Sequence, residues 1–66
     1  MYTYQRLKDL REDKDLSQTD IAKILDTTQK QYSRWETGEY EIPFHNIIKI
    51  AKFYNVTIDF IANITN

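Results

Sequence analysis

The sequence predicts an all-α fold of five short helices, arranged as one small domain over residues 1–66. Three observations carry that prediction. Apolar residues recur at helical spacing almost everywhere along the chain. Most of the later helix starts are marked by a Ser, Thr or Pro at the position where a helix needs one. A single glycine and a single proline leave too few turn residues for a fold of β-hairpins. A chain this short holds one hydrophobic core at most, so nearly every apolar residue must serve it.

Tyr4, Leu7 and Leu10 recur every three residues, so Thr3 to about Lys14 reads as the first helix with one buried stripe. Ser17 with Asp20 three residues on forms a shortened capping box, and Leu16 and Ile21 occupy the two positions of a hydrophobic staple. That start leads into helix two, whose apolar face is Ile21, Ala22, Ile24 and Leu25 and which should stop near Leu25. Asp26-Thr27 reads as a short turn, since Asp tolerates left-handed backbone. Thr28 with Gln31 repeats the capping-box pattern and opens helix three. Its apolar side is Tyr32 and Trp35, and Gly38 ends it in a left-handed conformation. Glu39 to Ile42 is a loop, and Pro43 suits the first turn of helix four, where its missing N–H costs nothing. Ile47, Ile48, Ile50, Ala51 and Tyr54 make that helix the most apolar element, and Asn55 ends it. Thr57 caps a fifth helix through Ile58, Ile61 and Ile64.

Composition excludes several classes. There are no cysteines, so neither disulfides nor a Cys-based zinc site is available. The one histidine, His45, has no second ligand in view and reads as a capping or surface residue. Asp9, Glu12, Asp13 and Asp15 lack the loop and ligand alternation that calcium needs, so they read as a solvated face of helix one. No apolar run approaches the roughly 20 residues of a membrane span, and the charged N-terminus has no signal-peptide core. A soluble, cytoplasmic protein is therefore expected. No nucleophile–base pair, metal set or phosphate loop supports an enzyme, a cofactor or a small-molecule substrate. Nine Lys and Arg against ten Asp and Glu give a net charge of −1. A nucleic-acid binder usually has a basic excess, so any DNA-binding surface here must gather its positive charge on one face.

Helices two and three, joined by a turn of about three residues, fit a helix-turn-helix unit. Ala22 supplies the small residue that two helices crossing at close range require. Opposite Tyr32 and Trp35, helix three presents Gln29, Lys30, Ser33, Arg34 and Thr37. Gln pairs bidentately with adenine, and Arg or Lys with the acceptors of guanine. At this point the chain resembles the lambda-repressor-like, xenobiotic-response-element class of helix-turn-helix regulators, which includes phage repressors and Cro-like proteins. Leu16-Ser17-Gln18, Ile21-Ala22-Lys23, Tyr32 through Gly38, Ile47 through Lys52 and Phe53-Tyr54-Asn55-Val56 carry the likeness, which runs from helix one to Ile61.

The resemblance implies a DNA-binding set. Gln18 is similar to the family's glutamine that bonds a phosphate and braces the first recognition residue. Gln29, Lys30 and Arg34 resemble the base-reading residues. Thr28 would hold phosphate at the helix N-terminus, with Ser33 and Thr37 as further phosphate contacts. Arg11 and Glu36 match a partly buried ion pair and are structural on this reading. The chain departs from the family at Asp26, where glycine is usual, and at Glu39-Tyr40-Glu41, where relatives often carry basic residues. Phosphate contacts from that loop would rest on backbone N–H groups or the Tyr40 hydroxyl. From Thr27 through Gly38, Lys30 and Arg34 against Glu36 sum to +1, or +2 if Glu36 is paired with Arg11. Few neutralised phosphates predict a shallow salt dependence.

The plainer readings are a merely solvated face for Gln29, Lys30 and Arg34, and core packing rather than base stacking for Tyr32 and Trp35. Phe60 and Ile64 lie four residues apart on the side of helix five that Ile58 and Ile61 leave free. They are expected to form a homodimer contact, which would suit an inverted-repeat operator in double-stranded DNA. The alternative is that Phe60 covers the edge of helix one or four. The overall expectation is a bacterial or phage transcriptional regulator, acting as a repressor. The rival is a protein-interaction module or antitoxin-like partner-binding protein on the same fold.

Overall fold

A computed structural model of the chain describes residues 4–62. Among them five α-helices follow one another without a strand: α1 (Gln5–Asp13), α2 (Gln18–Ile24), α3 (Gln29–Glu36), α4 (Phe44–Tyr54) and α5 (Ile58–Ala62). Thr3, where the first helix was expected to begin, lies outside the described residues. No helix among them is long and apolar enough to cross a membrane.

Local chemistry sets the helix starts. The Ser17 hydroxyl accepts from the Asp20 N–H at 3.0 Å, and the Asp20 carboxylate accepts from the Ser17 N–H at 3.0 Å, a complete capping box. These bonds, the Ser17 backbone N–H first, hold the Asp20 carboxyl below its usual pKa. For α3, the Thr28 hydroxyl accepts from the Gln31 N–H at 3.1 Å, the forward half of the expected box. The Thr57 hydroxyl does the same for α5 with the Phe60 N–H at 3.1 Å. The junctions turn on left-handed residues: Asp15 (φ 55°), Asp26 (φ 59°), Gly38 (φ 83°) and Asn55 (φ 57°). Asp26, Gly38 and Asn55 fill the roles expected of them. Asp15 does not belong to the acidic face of α1, because the chain has already left the helix there.

Every helix gives the core at least one side chain with almost no exposure, from Leu7 on α1 and Ile21 on α2 to Tyr32, Ile50 and Ile61 on α3, α4 and α5. Tyr32 and Trp35 meet edge to face, ring centroids 6.4 Å apart at 74°, as packed aromatics prefer. Both are core residues.

Two expectations, for Ile24 and Pro43, are corrected. Ile24 is 44% exposed, not part of the apolar face of α2. At about 100° per residue, Ala22 and Leu25 continue the stripe from Ile21 in one direction, and Ile24 falls about 60° away in the other. Ile42 lies in the loop expected there, is 2% exposed and plugs the core from the α3–α4 connection. Its N–H donates to the Tyr4 hydroxyl at 3.4 Å. Pro43 stands at the N-cap of α4 with φ −57°, one residue before the first turn. His45 is exposed on the first turn of α4.

Candidate nucleic-acid interface

At about 100° per residue, Gln29, Lys30, Ser33, Arg34 and Thr37 fall within an arc of about 140° on α3. Gln29, Lys30 and the C-cap Thr37 are exposed, and Ser33 and Arg34 are half-buried. Tyr32 and Trp35 point the other way, into the core. Thr28 is exposed at the N-cap, its hydroxyl committed to the Gln31 N–H. Thr37 donates its hydroxyl to the Arg34 carbonyl at 3.3 Å, closing the end of the helix. An eight-residue helix is about 12 Å long, close to the width of the DNA major groove.

The face is braced from behind. Arg11 on α1 makes a two-pronged pair with Glu36 on α3, Nε to Oε2 and Nη2 to Oε1, both at 3.0 Å. Its remaining nitrogen, Nη1, donates to the Leu16 carbonyl at 2.9 Å. Gln18, at the start of α2, donates through Nε2 to Glu36 Oε1 at 3.3 Å. Gln29, the first residue of α3, donates in turn to Gln18 Oε1 at 2.6 Å. One chain of bonds therefore runs from the buried pair to the outermost position of the face. Burial opposes ionisation of Glu36, but its bonds from Arg11, with Gln18 adding, outweigh it and hold the carboxyl below its usual pKa. Burial, with the same carboxylate beside it, pushes the Tyr32 phenol far above its usual range.

Because Glu36 is matched by Arg11, Lys30 and Arg34 present two positive charges on the face. Asp26, Glu39 and Glu41 are exposed around it. Sequence reasoning considered only the hydroxyl of Tyr40 and missed its ring. The Arg34 guanidinium carbon lies over that ring, 5.2 Å from its centroid. The nearest signal was Gly38, whose left-handed turn sends the loop back along α3.

Of the two expected dimer residues, Phe60 lies in a different region. Phe60 on α5 is 36% exposed, and the Arg6 guanidinium carbon lies 4.3 Å from its ring centroid. Arg6 Nη1 also donates to the Phe60 carbonyl at 3.0 Å, tying α5 to α1. Ile64 lies outside the described residues.

Comparison with known proteins follows the same outline. A helix-turn-helix family profile matches residues 7–61. Over 55 residues the chain is 34% identical to the HTH-type transcriptional activator BcrR of Enterococcus faecalis, covering 83% of this chain and 27% of that protein. Over 53 residues it is 32% identical to the cryptic phage CTXphi transcriptional repressor RstR of Vibrio cholerae, covering 80% of this chain and 48% of that one. The chain thus matches less than half the length of either relative. A five-helix order with a capped α2–α3 unit, together with a profile match over most of its length, makes this chain a member of the helix-turn-helix family of Cro and lambda-repressor type.

Proposed function

We propose that the chain binds double-stranded DNA sequence-specifically and regulates transcription, laying α3 in the major groove. Gln29, Lys30 and Arg34 read base edges, and Gln18, Thr28, Ser33 and Thr37 hold phosphates. The observation that carries this reading is the relay from Arg11 and Glu36 through Gln18 to Gln29, which fixes an outward side chain from inside the fold. A side chain with no ligand to meet gains nothing from being ordered, since ordering it costs rotamer freedom. Family membership and relatives that are transcriptional regulators support the same function.

Repression is the direction we propose, because a domain seated on an operator blocks polymerase without needing a further surface. A homodimer through Phe60 on α5 and through Ile64, which lies outside the described residues, would place two copies of α3 on an inverted repeat. A strictly monomeric species in sedimentation at tens of micromolar, on the order of 10⁻⁵ M, would count against that arrangement. The exposed Glu39 and Glu41 favour one rival, in which the acidic rim excludes DNA and the fold binds a protein partner.

Selection of duplexes from a random pool at about 50 mM salt separates the two. The expected result is an enriched inverted repeat, and an Arg34→Ala variant that stays folded yet binds it about tenfold to a hundredfold more weakly. No enrichment by folded protein would overturn the DNA reading in favour of a protein partner.

A further inference from the structure

We propose that Tyr40 is a positioning residue for Arg34: its ring holds the guanidinium against one face so that the edge N–H groups stay free for a guanine. This rests on the DNA-binding reading and names a specificity determinant within it. Gly38, at φ 83°, reverses the chain, and its N–H bonds the Trp35 carbonyl at 3.1 Å. Two residues on, the Tyr40 N–H bonds the Arg34 carbonyl at 3.2 Å, which fixes the Tyr40 backbone beside the last turn of α3. The ring then lies under the Arg34 side chain, 5.2 Å from centroid to guanidinium carbon. Tyr40 is 47% exposed, so its place is not explained by core packing.

The chemistry of the neighbourhood gives this contact its use. Glu39 and Glu41 flank Tyr40, and either carboxylate would take the donors that a base needs. Among the described residues, no carboxylate lies within salt-bridge distance of Arg34. An aromatic face attracts the cation without accepting through a lone pair, so the fork of N–H donors remains available. The ring also narrows the rotamers that Arg34 must give up on binding.

The test uses the operator recovered from the random pool and measures affinity for it and for its variants at the base pair facing Arg34. Tyr40→Leu should weaken binding about two- to fivefold, the size of an exposed cation–π contact, and should lower discrimination at that base pair alone. Tyr40→Phe should restore both. In an Arg34→Ala background, Tyr40→Leu should have no further effect. In the free protein, the Arg34 side-chain proton resonances should show a ring-current displacement in the wild type and Tyr40→Phe, and lose it in Tyr40→Leu. Unchanged discrimination in Tyr40→Leu would overturn the proposal. So would a Tyr40→Phe variant as weak as Tyr40→Leu, which would assign the hydroxyl to a phosphate instead. If the wild type selects no duplex at all, the DNA reading fails first and this proposal with it.

Discussion

Arg11 on α1 and Arg34 on α3 place the same guanidinium in two settings. At Arg11 the side chain is 12% exposed and all three nitrogens donate, two to Glu36 and one to the Leu16 carbonyl. At Arg34 the side chain rests on the Tyr40 ring and meets no carboxylate within salt-bridge distance among the described residues. One cation is used up in joining α1, α2 and α3. The other is held in place with its donors unspent. The difference explains how a chain of net charge −1 can present a positive surface, because what matters there is which charges are already matched.

The largest effect should come from breaking the matched site. Arg11→Met leaves a carboxylate whose side chain is 6% exposed without its partner, and should lower the unfolding free energy by about 3–5 kcal/mol in urea denaturation. A loss under about 1 kcal/mol would mean that the pair is no more than a surface contact. Arg34→Ala should do the reverse, weakening DNA binding by about 1–3 kcal/mol while stability stays within about 0.5 kcal/mol of wild type. Equal destabilisation by the two variants would erase the contrast. Next in size, Ser17→Ala removes the capping box beneath Gln18 and should cost about 1 kcal/mol of stability.

The comparison also has a pH signature. Glu36 is held below its ordinary value of 4.5, so the stability it adds is present above that pH and is lost as pH falls through the lower folded value. Denaturation series at successive pH values should show this acid limb in the wild type and a flatter one in Arg11→Met. The smallest effect is expected at Asp26, a left-handed residue beside the edge proposed to face DNA. Asp26→Gly relieves the backbone cost but adds freedom to the unfolded chain, for a net gain of about 0.5 kcal/mol in thermal or urea unfolding. It also removes a negative charge, so DNA binding should tighten slightly at low salt.

Features that depend on a few neighbouring residues could be read from the sequence. Ser17 and Asp20, Thr28, Asn55 and Thr57 announced their helix boundaries because a cap is a local exchange of hydrogen bonds. Ile24 and Ile42 could not be placed that way. Whether an isoleucine at the end of a short helix faces the core, or one in a loop plugs it, depends on how distant segments converge. Arg11 and Glu36 are 25 residues apart, and no spacing rule links them. That pair, like the link from Gln18 to Gln29, came from resemblance and is present in the fold. The Tyr40 contact had neither a spacing rule nor a family precedent to announce it. It follows from the path of the loop after the expected turn at Gly38, where the Tyr40 N–H bonds the Arg34 carbonyl and brings the ring back to α3, and that path only the folded backbone displays.

The left-handed residues between the helices have a kinetic consequence. They keep the connections to between three and seven residues, and the two most extensively packed helix pairs, α2–α3 and α4–α5, are neighbours along the chain. Little loop entropy must be lost before native contacts begin to form, and helical topologies of this kind cross the folding barrier in microseconds to milliseconds. Folding of this unit is therefore fast beside synthesis at about 5–20 residues per second, so it adds no delay of its own.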